Sequence, residues 1–179
     1  AKRALLEEFK AHVLSKITSP EDLIEKVLEP YAEAYLIATT QQYVSTKNAE
    51  DVNYLLKWLK RIDNSDWLPS AILFLSQKKD DPQYVLWFFR KLERLAAYLH
   101  ICAKNVNQRI ERYAEVIEAL QEEHSLTEPV ASIDLSEFEV EEMNGALDGN
   151  IYELTARRRN YLILRLDSFL SDGAATYDP

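Results

Sequence analysis

The side chains of this chain best suited to binding phosphate are three consecutive arginines, Arg157, Arg158 and Arg159. Each arginine presents a planar fork of N–H donors that matches the oxygen atoms of a phosphate group. On a helix, three consecutive side chains spread over most of the circumference, so we expect that they do not all contact one partner. A solvated helix face is the alternative interpretation, and the sequence leaves both open.

A second set of basic side chains precedes a strongly acidic segment. Residues 76–112 contain eight basic and four acidic side chains, whereas residues 115–148 contain eleven acidic and no Lys or Arg side chains. The basic set, which would follow a phosphate backbone or form a solvated face, consists of Arg90, Lys91, Arg94, Lys104, Arg109 and Arg112. Either segment would serve as an interface, but the acidic one and the net charge of −9 oppose the approach of nucleic acid.

Metal-binding and nucleophilic side chains are scattered along the chain. One cysteine, Cys102, and three histidines, His12, His100 and His124, do not supply a zinc cluster. No Glu is followed three residues later by His, the spacing that a di-iron helical bundle requires. Side chains two positions apart, such as His100 and Cys102, do not face each other on a helix. We therefore expect no catalytic, cofactor-binding or metal-binding residue in this chain.

Several aromatic side chains would stack on nucleic-acid bases if they were exposed. This set consists of Tyr84, Trp87, Phe88, Tyr98, Trp58 and Trp67. Because Val85, Leu92 and Leu95 accompany them at helical spacing, we favour a place in the hydrophobic core. We expect Trp87 and Phe88 to be largely buried.

Helix punctuation predicts the elements that position these residues. Glycine occurs only at positions 145, 149 and 173, which excludes a glycine-rich phosphate loop over most of the chain and disfavours an all-β fold. Capping residues and prolines predict an all-α domain of about seven or eight helices without a substantial sheet. The predicted helices cover about 2–17, 20–44 with a kink or break at Pro30, 48–62, a fourth helix that Ser65 or Asp66 begins around Pro69 and that ends near 78, 82–103, 105 or 107 to 123, 136–144 and 151–171.

The sequence predicts a single helical domain, 1–179. A main helical body spans 1–123, an acidic loop and short helix span 124–150, and a final helix spans 151–172. We find no apolar run of membrane-spanning length and no signal peptide, so we expect a cytoplasmic location. Because the sequence lacks an initiator Met, we interpret it as a fragment of a longer protein.

The last predicted helix resembles a segment of a large bacterial family. Residues 153–167 form an arginine-containing helix with a leucine-rich end, followed by Tyr177-Asp178-Pro179. This is similar to the segment just before the HNH-type nuclease motif of proteins with an N-terminal ParB/sulfiredoxin-like domain, among them the GmrSD-type modification-dependent restriction endonucleases. Upstream, the similar stretches are 5–10, 31–35, 55–59, 67–73 and 83–94, which resemble the helical region between the two catalytic domains.

The resemblance implies a non-catalytic connecting domain of a DNA-cleaving bacterial defence protein. The family's Asp-Gly-Gln-Gln-Arg motif and its Glu-His pair are both absent from this chain, so no catalytic residue is carried over. The full-length parent is expected to be an endonuclease that hydrolyses a nucleotide and uses a divalent metal. The flanking domains of the same chain, DNA and a second subunit are the expected partners. The alternative is a free-standing adaptor whose acidic segment 115–148 binds a basic protein.

Overall fold

The computed structural model describes residues 2–122 and 128–171 and is helical throughout. The helices are α1 (Lys2–His12), α2 (Pro20–Leu23), α3 (Glu29–Thr40), α4 (Ala49–Arg61), α5 (Leu68–Lys78), α6 (Pro82–Ile101), α7 (Val106–Ala119), α8 (Glu137–Asp148) and α9 (Ala156–Leu170). A π turn joins α2 to α3 without a break, so the described ranges contain eight continuous helices, and no strand occurs in them. The helical content of 74% confirms the predicted all-α fold.

The predicted kink at Pro30 takes the form of the π turn over Ile24–Leu28. Proline has no N–H with which to bond the carbonyl four residues earlier. The N–H of Glu29 bonds the carbonyl of Ile24, five residues earlier, and the helix continues past Pro30. It ends at Gln41, whose positive φ of 54° stops the helix about three residues before the predicted end.

Four helix starts follow the predicted capping chemistry. The side chains of Ser19 and Asp81 accept the N–H groups of Asp22 and Tyr84, at 3.1 and 3.0 Å. Asn105 with Gln108, and Ser136 with Glu139, form complete capping boxes. These caps confirm the starts of α2, α6, α7 and α8.

The predicted start of α5 around Pro69 is confirmed, although its N-cap residue is Trp67 and neither Ser65 nor Asp66. Other predicted boundaries are wrong. α7 ends at Ala119, about four residues before the predicted end. α8 continues through Gly145 to Asp148, because one glycine inside a helix costs only about 1 kcal/mol. The first and last helices are shorter than predicted: short 3-10 turns replace their ends at Leu14–Lys16 and Ile151–Glu153. The predicted stop at Gly173 lies outside the described residues.

α6 is the centre of the hydrophobic core. Twelve of its twenty residues are buried, and it packs against α4, α5 and α8. Phe88 is fully buried and stacks on Phe74 of α5 with ring centroids 3.9 Å apart. Trp87 packs against the core but is less deeply buried than Phe88, and Lys91 lies over its ring.

The aromatic set belongs mainly to this core. Trp58, Trp67, Phe88 and Tyr98 are each at most 4% exposed, so they offer no surface for stacking on bases. Tyr84 packs against Phe74 with ring centroids 5.1 Å apart. The interpretation as core is therefore confirmed for the buried members of the set.

The acidic segment folds back onto the basic surface of the same chain. Lys91 pairs with Asp134 at 2.5 Å, and Lys104 pairs with Glu142 at 2.7 Å. Arg112 forms a two-pronged pair with Glu139 and donates to the carbonyl oxygens of Ser132 and Asp134. Much of the charge asymmetry in the sequence is thus used within the fold.

The two terminal helices bury few of their residues. No residue of α1 from position 4 onward is buried, and α9 buries only Tyr161 and Ser168. In the described ranges, no helix combines the length and the apolar composition needed to cross a bilayer. The position of α9 therefore depends on a few specific contacts.

Candidate functional site

A largely buried ion pair fixes α9 to the core. Glu93 of α6 is only 7% exposed, and its Oε1 lies 3.3 Å from Arg165 Nε of α9. The hydroxyl of Tyr161 donates to the same carboxylate at 3.2 Å. Burial raises the pKa of Glu93, whereas Arg165 and the Tyr161 hydroxyl act in the opposite direction. The guanidinium of Arg165 also lies over the ring of Trp58, 4.9 Å from its centroid.

A second set of hydrogen bonds connects α9 with α4. Arg165 Nη1 donates to the hydroxyl of Tyr54 at 2.9 Å, and that hydroxyl lies 2.8 Å from Ser168 Oγ. These contacts determine both the rotation and the axial position of α9. The first turn of α9, three turns away from Ser168, is thereby held in a defined place.

The first turn of α9 forms one wall of a cavity of about 440 Å³. Its lining residues are Asp63, Asn64, Leu99, His100, Ala103, Lys104, Arg109, Thr155, Ala156, Arg157 and Arg158, which we call the basic pocket. Four of these side chains are cationic and one, Asp63, is a carboxylate. The formal charge of the wall is therefore positive although the whole chain is acidic.

The backbone of α9 begins at this pocket without a side-chain cap. Thr155 is the N-cap residue, but its hydroxyl accepts no N–H group of the helix. The first intrahelical bond is donated by Arg159 to the carbonyl of Thr155 at 3.0 Å. The backbone N–H groups of residues 156–158 therefore have no acceptor within the helix. The positive end of the helix dipole lies at the pocket.

Arg158 is the cation of the pocket that is available to a ligand. Its side chain forms no hydrogen bond or ion pair with any residue in 2–122 or 128–171. Arg157 is 76% exposed in its side chain and makes one long contact, 3.4 Å, with Asp63. Two adjacent guanidinium groups thus stand beside the uncapped helix end.

The other two cations of the pocket are already paired. Arg109 donates to Asp66 Oδ2 at 2.7 Å and to the carbonyl of Lys104 at 2.9 Å. Lys104 binds both oxygens of Glu142, an interaction that raises the pKa of Lys104 and lowers the pKa of Glu142. These side chains line the pocket but contribute less uncompensated charge than Arg157 and Arg158.

His100 lies at the base of the pocket beside Asp63. Only 6% of His100 is exposed, and its Nδ1 is 3.3 Å from Asp63 Oδ1. Burial lowers the pKa of His100, and Arg158 and Arg109 lower it further, against the opposing effect of Asp63. The neutral ring therefore donates from Nδ1 to Asp63, while Nε2 has no hydrogen-bond partner in the part of the chain that the structure describes.

The structure divides the three predicted phosphate-binding arginines. Arg157 and Arg158 line the pocket, whereas Arg159 lies over the ring of Tyr152 at 5.9 Å and does not line it. This agrees with the expectation that the three do not share one partner. Sequence reasoning missed Asp63, His100 and the uncapped start at Thr155, because nothing in the linear spacing connects them with α9.

The earlier basic set is also divided. Lys104 and Arg109 reach the pocket, whereas Lys91 and Arg112 hold the acidic segment. Arg90 and Arg94 are exposed on α6. The set therefore does not form one continuous stripe for a phosphate backbone.

The remaining candidates for chemistry stay apart. His12 contacts Glu8 on the exposed α1, Cys102 lies partly buried at the end of α6, and His124 is outside the described residues. Burial raises the pKa of the Cys102 thiol, which disfavours a thiolate nucleophile. Within 2–122 and 128–171, no group of three or more His, Cys, Asp or Glu side chains is arranged to hold a metal ion.

A separate apolar groove lies near the N-terminal end. It has a volume of about 790 Å³ and runs between α1 and the α2–α3 helix. Its apolar lining is formed by Phe9, Val13, Ile17, Val27, Leu28, Tyr31, Ala32, Tyr35 and Ile72, with His12, Lys16 and Lys26 among them. This groove offers contact area for a protein partner but few groups for chemistry.

Comparison with known proteins returns no relative: the chain matches no protein-family profile, no curated protein and no solved structure.

Proposed function

We propose that this chain is a non-catalytic helical module that holds a phosphate group of a nucleic acid in the basic pocket. The observation that carries the proposal is Arg158, whose guanidinium has no hydrogen-bond or ion-pair partner in the described ranges and lies beside the uncapped first turn of α9. Guanidinium groups and helix N-termini both bind phosphate oxygens, and here they face the same cavity. Lys104 and Arg109, which are paired with carboxylates, also line the cavity.

The proposed setting is the one that the family resemblance implies. There, the module is the helical connecting domain of a cytoplasmic, DNA-cleaving bacterial defence protein, and the nuclease, the nucleotide and the divalent metal belong to other parts of the parent. The chain would keep the flanking domains in register while the basic pocket contacts DNA. Self-association of the parent is a further expectation from the same setting.

The test is a DNA-binding measurement with a matched pair of variants. Arg158→Gln removes the unpaired cation of the pocket, and Arg159→Gln removes the same charge one position further along the same helix, outside the pocket. Binding of a fluorescently labelled single-stranded DNA is followed by anisotropy at low ionic strength. Arg158→Gln should weaken binding about tenfold, as expected for one charge-assisted hydrogen-bonding group.

The control separates the pocket from general electrostatics. Arg159→Gln should change the affinity by less than about twofold. The Arg159 guanidinium attracts the phosphate from a greater distance, where dissolved salt weakens the attraction. Equal losses in both variants would mean that DNA senses the overall charge of α9 and not the pocket. Absence of measurable binding by the unmodified chain would reject the proposed function.

The apolar groove favours a second candidate function, a protein-binding adaptor. Its lining contains basic and no acidic side chains, so a suitable partner is an amphipathic helix with acidic edges. Leu28→Ser combined with Tyr35→Ser would weaken such binding and leave DNA affinity unchanged. The flanking segments of the parent gene, expressed separately, are the partners to test by calorimetry.

A further inference from the structure

We propose that the basic pocket recognises a phosphate monoester, on a nucleotide or at the 5′ end of a nucleic acid, in preference to the phosphodiesters along a strand. This inference rests on the proposed function and narrows its ligand. The monoester and the diester differ in charge, size and number of free oxygen atoms, so the arrangement of the pocket discriminates between them.

The shape of the site favours a compact ligand. Lys104 and Arg109, near the junction of α6 and α7, line the same cavity as Arg157 and Arg158 at the start of α9, so cations from separate elements share one volume. The cavity of about 440 Å³ falls within the range typical of small-molecule sites. A strand crossing this surface would place only one phosphate within reach of Arg158.

Carboxylates around the pocket oppose an extended polyanion. Asp63 lies in the wall, Glu142 is held by Lys104, and Asp66 is held by Arg109. A nucleic-acid strand that leaves the pocket toward the Lys104–Glu142 pair or the Arg109–Asp66 pair passes a carboxylate, which repels its phosphates. A single terminal phosphate at the first turn of α9 faces only Asp63 among these carboxylates, because Glu142 and Asp66 do not line the cavity, and it still contacts Arg158.

The charge of the ligand also favours the monoester. A phosphate monoester is largely dianionic near neutral pH, because its second pKa is about 6. A phosphodiester carries one negative charge and has two ester oxygens that accept hydrogen bonds poorly. Doubling the charge roughly doubles the Coulombic attraction to Arg158 and to the positive end of α9.

The pocket also supplies neutral polar groups for the rest of a nucleotide. The hydroxyl of Thr155 does not cap α9, and the carbonyl oxygen of the Asn64 side chain accepts the N–H of Asp66 at 3.2 Å. Leu99, Ala103 and Ala156 add small apolar surfaces. A mononucleotide is therefore matched in size and polarity by the walls, whereas inorganic phosphate uses only the charged end.

The experiment compares two DNA strands that differ only at the 5′ end. The strands have the same sequence and a fluorophore at the 3′ end, and one carries a 5′-phosphate while the other carries a 5′-hydroxyl. We expect the phosphorylated strand to bind about tenfold more tightly. The preference should disappear in Arg158→Gln and persist in Arg159→Gln. AMP should displace the phosphorylated strand, and adenosine should not.

Each result has a distinct meaning. Equal affinities for the two ends, both reduced by Arg158→Gln, would overturn the monoester preference and leave the proposed phosphate contact intact. Binding of AMP without binding of either strand would support the monoester site and reject the nucleic-acid function. No binding of AMP or of the strands would overturn both. Arg158→Lys, which keeps the charge but not the fork, should retain only part of the preference.

Discussion

Two groups of basic side chains in this molecule have similar composition but differ in whether the fold pairs them with carboxylates. Lys91, Lys104 and Arg112 lie near α6 and α7 and are bound to carboxylates of the acidic segment. Arg157 and Arg158 lie at the start of α9, where Arg158 has no partner in the described ranges and Arg157 has one long contact. The first group stabilises the fold, and the second group is available to a ligand.

The difference shows that local charge density does not identify a binding site. The basic stretch 76–112 has a net charge of +4, from eight basic and four acidic side chains, yet the fold neutralises much of its central part. The start of α9 becomes electropositive because its arginines coincide with an uncapped helix end. The binding capacity depends on what remains unpaired after folding.

The largest effect is expected where α9 is fixed to the core. Arg165→Ala should destabilise the protein by about 3 kcal/mol, because Glu93 is left as a largely buried carboxylate without its cation. Chemical denaturation monitored by circular dichroism measures the change. Arg159→Ala, on the same helix, should alter stability by less than about 0.5 kcal/mol. A loss below about 1 kcal/mol for Arg165→Ala would show that α9 is fixed by other contacts.

A smaller effect directly contrasts the two groups. Arg112→Gln removes the pair with Glu139 and two bonds to carbonyl oxygens, so it should cost about 1–3 kcal/mol of folding free energy. Arg158→Gln should leave stability within about 0.5 kcal/mol of the parent value, since the Arg158 side chain forms no hydrogen bond or ion pair with the described residues. The same denaturation assay compares them. A reversed order of the two losses would contradict the division between structural and available cations.

The smallest effect concerns the pH dependence of stability. His100 has a lowered pKa in the folded state, so between that value and the ordinary value of 6.5 the unfolded chain binds more protons than the folded one. The His100 contribution to stability should therefore decrease as the pH falls from 7 through 6. His100→Asn should show a shallower decrease over that window. Identical slopes in thermal denaturation would show that His100 does not remain neutral on folding.

The parts of this architecture that depend on local chemistry could be predicted from the sequence. Ser19, Asp81, Asn105 and Ser136 cap helices as expected, because a cap requires only residues within one turn. The continuation of α8 through Gly145 was not predicted. The free-energy cost of a single glycine is smaller than the stabilisation that the helix gains from packing. Tertiary context decides such boundaries.

The candidate site was only partly predictable. The arginines at 157–159 are conspicuous in the sequence, but their separation into two pocket residues and one outside it depends on the rotation of α9. That rotation is set by Arg165, Glu93 and Tyr54, which lie up to 111 residues apart in the chain. Long-range pairs of this kind leave no local pattern, so the pocket emerges only from the fold.

The central claim is that the first turn of α9 and Arg158 bind phosphate, and NMR spectroscopy tests it most directly. The measurement is a titration of the uniformly ¹⁵N-labelled protein with AMP, followed through the backbone amides and the arginine side-chain N–H groups. We predict that the largest shifts occur at the amides of residues 156–158 and at Nε of Arg158, and that Nε of Arg159 changes little. Shifts concentrated on the exposed Arg90 and Arg94 of α6, or spread evenly over all arginines, would contradict the account.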